Sequence, residues 1–126
     1  MKAFSQKINK PWGYELLITP PESPTTGKLA FTKAGQRWSL QYHDKKDETI
    51  CLISGKASLI HQGQSLRMKT MQGYRIKPGE QHRLVAETDC LSLEVSTPEK
   101  GSVTVRLEDD YGRGNETDAV RKKIRS

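Results

Sequence analysis

The stretch from Gly35 to Gly55, GQRWSLQYHDKKDETICLISG, decides the reading of this chain. Side chains alternate across a β-strand, so a strand from Trp38 to Tyr42 that runs on to His43 points Gln41 and His43 the same way. The polar turn DKKD follows, and Glu48 then opens a second apolar strand, TICLIS, from which its carboxylate reaches the same point. Working outward, short apolar runs recur at spacings of about ten residues and are broken by turn residues, the pattern of an all-β sandwich or barrel. The runs predict strands at 12–18, 28–33, 38–42, 49–54, 57–61, 65–71, 73–76, 82–86, 91–96 and 102–107. Ser54-Gly55, Gln62-Gly63 and Pro78-Gly79 supply turns between them, and Ser54-Gly55 reads as a tight hairpin within a meander.

The rest of the composition narrows the class. A chain of 126 residues with 33% hydrophobic and 29% charged residues suits one domain with a modest core. Its apolar runs are far too short for a membrane-spanning helix, and the first residues, MKAFSQKINKPWGYE, lack the apolar segment of a secretory signal. Cys51 and Cys90 each sit in an apolar run, which predicts reduced, buried thiols and a cytoplasmic protein. The net charge of +6 is partly concentrated at Arg121, Lys122, Lys123 and Arg125 and is otherwise scattered, which argues against nucleic acid as the partner. Asp109 to Thr117 reads as a polar loop, and Asp118 to Arg125 as a short basic helix capped by Thr117 or Asp118.

Gln41, His43, Glu48 and His82 form the candidate metal site, with His82 closing the set from a facing strand after the Pro78-Gly79 turn. An amide oxygen, two imidazoles and a carboxylate suit a divalent ion such as Zn, Mn, Fe, Co or Ni. At this point the sequence resembles the cupin superfamily. Gly35, Gln41, His43, Glu48 and Gly55 stand in register with its first motif, and Gly79 and His82 with its second. Gln41 replaces the first His of most cupins, Lys77 a Pro, and Ala86 an Asn. The blocks KPWGYE (10–15), SLQYHDKKDE (39–48), IKPGEQHRL (76–84) and VRLEDDYGR (105–113) further resemble the phosphomannose isomerase cupin domain, the type II mannose-6-phosphate isomerase. Three positions depart from it, with Lys46 for Arg, Ile50 for an aromatic residue and Asp44 for an extra His. No nucleotidyltransferase half accompanies the domain.

The resemblance implies a single cupin domain, a double-stranded β-helix or jelly-roll barrel, with its barrel and flanking strands over 1–113 and a basic tail over 114–126. It implies a metal-dependent sugar or sugar-phosphate isomerase using a Gln, His, Glu, His ligand set, and a homodimer paired through strands. Such chemistry moves a proton between neighbouring carbons while a cation stabilises an enediolate oxygen. Glu48 is committed to the metal, so the base is sought among Asp109, Asp110, Glu94 and a metal-bound water. Asp109 and Asp110 also read as loop carboxylates paired with Arg106 or Arg113. Arg106 and Arg113 are the expected catalytic and substrate-binding cations, with Lys46 and Lys10 behind them at the barrel mouth. Arg83, next to His82, should point away from the metal toward a structural partner. Trp12 and Tyr14, alternating on the first strand, should line either the pocket, the core or a dimer contact, and His61 reads as structural. Other cupin chemistries, dioxygenase or epimerase, and a non-catalytic sugar-binding module are the competing readings.

Overall fold

The structure is a computed structural model in which residues 1–111 are described; Arg113 and the expected helix at Asp118–Arg125 lie outside the described residues. The eleven strands among them are β1 (Gln6–Lys10), β2 (Gly13–Leu17), β3 (Thr26–Thr32), β4 (Leu40–His43), β5 (Glu48–Ser54), β6 (Ala57–His61), β7 (Gln64–Arg67), β8 (Gly73–Ile76), β9 (His82–Ala86), β10 (Cys90–Ser96) and β11 (Thr104–Glu108). They form a six-stranded sheet, β1-β2-β3-β10-β5-β8, and a five-stranded sheet, β11-β4-β9-β6-β7. All strand pairs are antiparallel. The fold is all-β, and no helix among the described residues is long and apolar enough to cross a membrane.

One turn reading is corrected. Ser54-Gly55 is no hairpin, because β5 pairs with β10 and β8 while β6 pairs with β9 and β7 in the other sheet. Gly55, at φ +97°, turns the chain across the sandwich, and a Cβ there would stand 2.3 Å from the Asp89 carbonyl oxygen. The adjacent Lys56 bonds to Thr88 and Glu87 instead of to a hairpin partner. Gln62-Gly63, read as a turn, forms a tight hairpin in which both central residues have positive φ, 50° and 79°. The expected strand at 65–71 stops at Arg67, and β1 was not anticipated because QKINK carries two lysines and little apolar signal.

Trp12 and Tyr14 also part company. Trp12 lies in the turn between β1 and β2 and is buried against Trp38, with ring centroids 5.6 Å apart. Tyr14 stacks on Phe31, its register partner, at 4.5 Å with the Lys7 ammonium over its ring. The turn at Gly13, φ +154°, breaks the alternation that would have aligned them.

The interior changes character along the strands. Inward positions run from Glu48 through Ile50 to Leu52 on β5, and from His82 through Leu84 to Ala86 on β9, all buried. On β10 they run from Ser96 and Glu94 through Ser92 to Cys90. One end of the sandwich is therefore an apolar core with Trp12, Trp38 and Leu59, and the other is polar and buried. The candidate residues fall at the polar end.

Candidate metal centre

Strand register brings the site together. Gln41 on β4 pairs with His82 on β9, and both side chains face the interior. Two residues on, His43 shares the face of Gln41. Glu48 opens β5 in the opposite sheet, with Ile76 and Ser96 beside it. The Gly79 amide in the turn before β9 donates to the His43 carbonyl oxygen at 2.7 Å, tying the two histidine-bearing segments together.

His82 Nδ1 lies 3.1 Å from the Glu80 carbonyl oxygen, which can only accept, so this partner assigns the ring proton to Nδ1. In the neutral ring, Nε2 then presents a lone pair, and it faces Glu48 Oε1 at 2.9 Å. His43 holds its Nδ1 2.9 Å from the Thr104 hydroxyl and turns Nε2 toward Glu48 Oε2 at 3.6 Å. Donor atoms of His43, Glu48 and His82 all lie within 4.8 Å of one another. Gln41 Oε1, Glu48 Oε1 and His82 Nε2 are buried without a hydrogen-bond donor. Unpartnered buried acceptors carry a large desolvation cost, which a shared cation would relieve. The donor set fits a divalent ion of the borderline class.

Electrostatics around the centre favour the liganding forms. Burial, reinforced by the Lys46 ammonium, pushes His43 down to about 4, so its imidazole is neutral at ordinary pH. Burial alone would raise the Glu48 pKa, but the Lys46 ammonium beside it holds its carboxyl well below the usual range.

Lys46 is not at a rim. It is 2% exposed, with Nζ 3.1 Å from Glu48 Oε2, 3.2 Å from Glu94 Oε2 and 3.4 Å from Glu99 Oε1. These carboxylates outweigh its burial and keep it charged well above the ordinary lysine pKa. The polar turn is drawn inward because Asp44 Oδ1 accepts from the Val103 amide at 2.7 Å and Asp47 exchanges bonds with Thr97. Lys28, 1% exposed, extends the network to Glu15 and Glu94, at 3.7 and 3.6 Å, and bonds Glu99. Lys10 is buried as well, 3.8 Å from Glu15. Lys10 and Lys46 therefore stand in an interior ion-pair network and not at an open mouth.

Arg106, buried on β11, is the register partner of Gln41 and shares its interior face. The register then shifts between Arg106 and Glu108, and this bulge turns Glu108 outward. Glu108 meets Arg83 at 3.6 Å. Asp110 makes a two-pronged pair with Arg37, both bonds 2.8 Å, at a site where the two side chains are 41% and 42% exposed. Asp110 thus pairs with Arg37, where Arg106 or Arg113 had been expected. Arg37 bridges to Val85, an outward position of β9, so Asp110 lies on the outer side of the five-stranded sheet. Asp109 caps the Tyr111 amide in the same segment. Arg83 points to that side too, where its Nε donates to the Trp38 carbonyl oxygen at 2.9 Å.

Lys28, Glu15 and Glu99 were missed by sequence reading. For Lys28 the one signal was alternation, since it sits out of phase with Leu29 and Phe31 on its strand, as Glu94 does with Leu93 and Val95. His61 faces the same side as its partner His82 but pairs with Glu80 at 3.1 Å near the surface.

A model of the family described as mannose-6-phosphate isomerase C-terminal matches residues 1–113. No curated protein matches the chain. Among solved structures, the capsular polysaccharide assembling protein CapF from Staphylococcus aureus superposes with a TM-score of 0.70 at 15% identity over 83% of this chain. The chain spans only about a third of CapF, 34% of its length. KdgF from Halomonas sp. gives 0.67 at 16% identity over 78% of this chain and 88% of that one. A sugar phosphate isomerase of the cupin superfamily from Silicibacter pomeroyi gives 0.63 at 18% identity, over 76% and 67%. Identities this low speak for a shared fold.

Proposed function

Since the chain belongs to the mannose-6-phosphate isomerase C-terminal family of cupins, we propose that it is a metal-dependent aldose-ketose isomerase acting on a sugar phosphate. Gln41, His43, Glu48 and His82 hold one divalent cation in this reading. The observation that carries it is the convergence of donor atoms of His43, Glu48 and His82, all within 4.8 Å of one another, beside a buried, unpartnered Gln41 Oε1. A divalent cation bound there supplies Lewis-acid stabilisation of charge developing on the sugar oxygens.

The chain's own residues do the rest. Thr104 and the Glu80 carbonyl fix the two imidazole rings. Glu94, buried across Lys46 from Glu48, takes the proton from one carbon and returns it to the next; burial, and after it the Glu48 carboxylate, raises its pKa. Lys46 stands between Glu94 and Glu48 and keeps both carboxylates in place. Arg106, on the interior face next to Gln41, binds the anionic end of the substrate, and Arg113 is retained as a second cation from its place in the VRLEDDYGR block. This reading does not call on Asp109, which bonds the Tyr111 amide, or on Asp110, which pairs with Arg37.

The test is elemental analysis of chelator-stripped protein reloaded with Zn, Mn, Fe(II), Co or Ni, followed by incubation with mannose 6-phosphate. One ion per chain and formation of a ketose phosphate are expected, and Glu48→Gln should lose both. Wild-type metal content in Glu48→Gln would remove Glu48 from the ligand set. Saturable sugar-phosphate binding without product would make the domain a binding module, and oxygen consumption with Fe(II) would make it a dioxygenase.

A further inference from the structure

The four candidate ligands are buried, and so is the ion-pair network beside them. An ion or a sugar can reach the centre only if part of the wall moves. Among the charged side chains of the network Glu99 is the most exposed, at 21%, against 10% for Glu94 and 4% or less for Lys10, Glu15, Lys28, Lys46 and Glu48. It borders a surface cavity of about 300 Å³, lined by Leu17, Pro20 and Pro21 on one side and by Pro98, Glu99 and Lys100 on the other. Behind it, Lys46 Nζ lies 3.4 Å from Glu99 Oε1 and 3.1 Å from Glu48 Oε2. One ammonium therefore separates the cavity from a candidate metal ligand.

We propose that the loop at 98–101 is the gate of the metal centre and that Glu99, held by Lys28 and Lys46, is its latch; the inference rests on the metal-dependent reading above. The loop is hinged at both ends on the turn that carries Lys46. Thr97 exchanges bonds with Asp47 at 3.0 and 3.1 Å, and Ser102 and Val103 bond the Asp44 carboxylate at 3.2 and 2.7 Å. Between these anchors Gly101 turns at φ +83°, and the Glu99 carboxylate ties the loop to the interior. Burial opposes the charge on Glu99, but Lys28 and then Lys46 hold its carboxyl below the usual range, so the latch is an ion pair. Its release strands no cation. Lys28 keeps Glu15 and Glu94 at 3.7 and 3.6 Å, and Lys46 keeps Glu48 and Glu94 at 3.1 and 3.2 Å. A buried ammonium left alone would hold the gate shut.

The other walls are stiffer. Across the cavity, Pro20, Pro21 and Pro24 fix the backbone of the segment before β3. At the turn before β9 the Gln62 amide donates to the Gln81 carbonyl oxygen at 2.9 Å, and the Gln81 amide to Gln62 Oε1 at 2.7 Å. Opening there would also strain the Gly79 bond to the His43 carbonyl oxygen and displace the segments that carry both histidines.

Stopped-flow mixing of the metal-free full chain with Co(II), and release of bound Co(II) to excess EDTA, test the gate. Glu99→Gln should speed uptake and release about tenfold each, as loss of a latch lowers a barrier common to both directions. Charge alone would act the other way on uptake, because removing a carboxylate makes the site less attractive to a cation. Pro98→Gly, which loosens the loop and leaves the ion pairs in place, should speed both about threefold. Trypsin gives a readout without metal, with thermal unfolding as the fold check. Cleavage after Lys100 should be about tenfold faster in Glu99→Gln, and cleavage after Lys69, between β7 and β8, unchanged. Uptake that slows or stays the same in Glu99→Gln overturns the proposal, and so does Lys100 cleavage that neither variant accelerates. A wild type that takes up no Co(II) ends the metal reading instead, and trypsin alone then decides whether Glu99 latches the loop.

Discussion

His43 should make the metal-free protein lose stability in acid, by an amount that the fold fixes. Burial, then the Lys46 ammonium, lowers its pKa from 6.5 to about 4 in the native state. The unfolded chain takes up a proton as pH falls through 6.5, while the folded chain does not until about 4. Across that window the unfolded state binds more protons, so stability rises with pH and is lost as pH falls. The steepest loss is ~1.2 kcal/mol per pH unit, near pH 5, and the accumulated loss between pH 7.5 and 4.5 is about 2.5 kcal/mol. At ~4 °C per kcal/mol for a domain of this size, the melting temperature falls by about 10 °C on this account. His43→Gln retains a polar group beside Thr104 but cannot take the proton. Urea unfolding of both proteins in chelator, at half-unit steps of pH, gives the difference. Glu94, with its pKa raised by burial and by Glu48, contributes in the opposite sense, its stability lost as pH rises. That contribution is present in both proteins and cancels in the comparison. Wild-type and His43→Gln curves that run parallel within ~0.5 kcal/mol would refute the reasoning.

Two other outcomes follow from the charge network. Lys46→Met leaves Glu48, Glu94 and Glu99 facing one another in the interior; unfolding should show a cost of ~3–5 kcal/mol, while calorimetry should show divalent-ion affinity rising about tenfold or more as a competing cation is removed. Asp110→Asn breaks only an exposed pair with Arg37, so melting should report under ~1 kcal/mol and ketose formation should stay within about twofold. A hundredfold fall in turnover would put Asp110 back into the chemistry.

Much of the arrangement could be read from residues 35–55. The alternation of Gln41 and His43, and the turn that lets Glu48 begin the next strand, follow from a period of two and need no knowledge of tertiary contacts. What could not be read was which strands pair. Gly55 marks a turn in either topology, and only contacts with Asp89 and Thr88, more than thirty residues away in sequence, make it a corner between sheets. The same limit hid the bulge after Arg106. Strict alternation would send Arg106 and Glu108 the same way, yet the shifted register turns Glu108 to the outer side, where it meets Arg83. Lys46 was unreadable for another reason. Within DKKD it resembles its solvent-facing neighbour Lys45, and what pulls it inward is a loop from residues 97 to 103 that bonds Asp44, Lys46 and Asp47.

The strand CLSLEVS joins the two halves of the functional reading. Its alternation is plain, and a hydrophobic-inside rule would bury Leu91, Leu93 and Val95. The structure does the reverse, with Ser92, Glu94 and Ser96 buried and Val95 half exposed. β3 shows the same inversion, burying Lys28 beneath Leu29 and Phe31. A sheet can be built this way only if both faces have a reason. Inside, the carboxylates and ammoniums neutralise one another around a centre that calls for a cation. Outside, a row of leucines left in water would forgo the largest stabilising term available to a chain of this size. The polar interior and the apolar exterior are therefore one fact about the sequence: with a side-chain period of two, strands that turn Lys28 and Glu94 inward to their partners turn Leu29, Leu93 and Val95 outward.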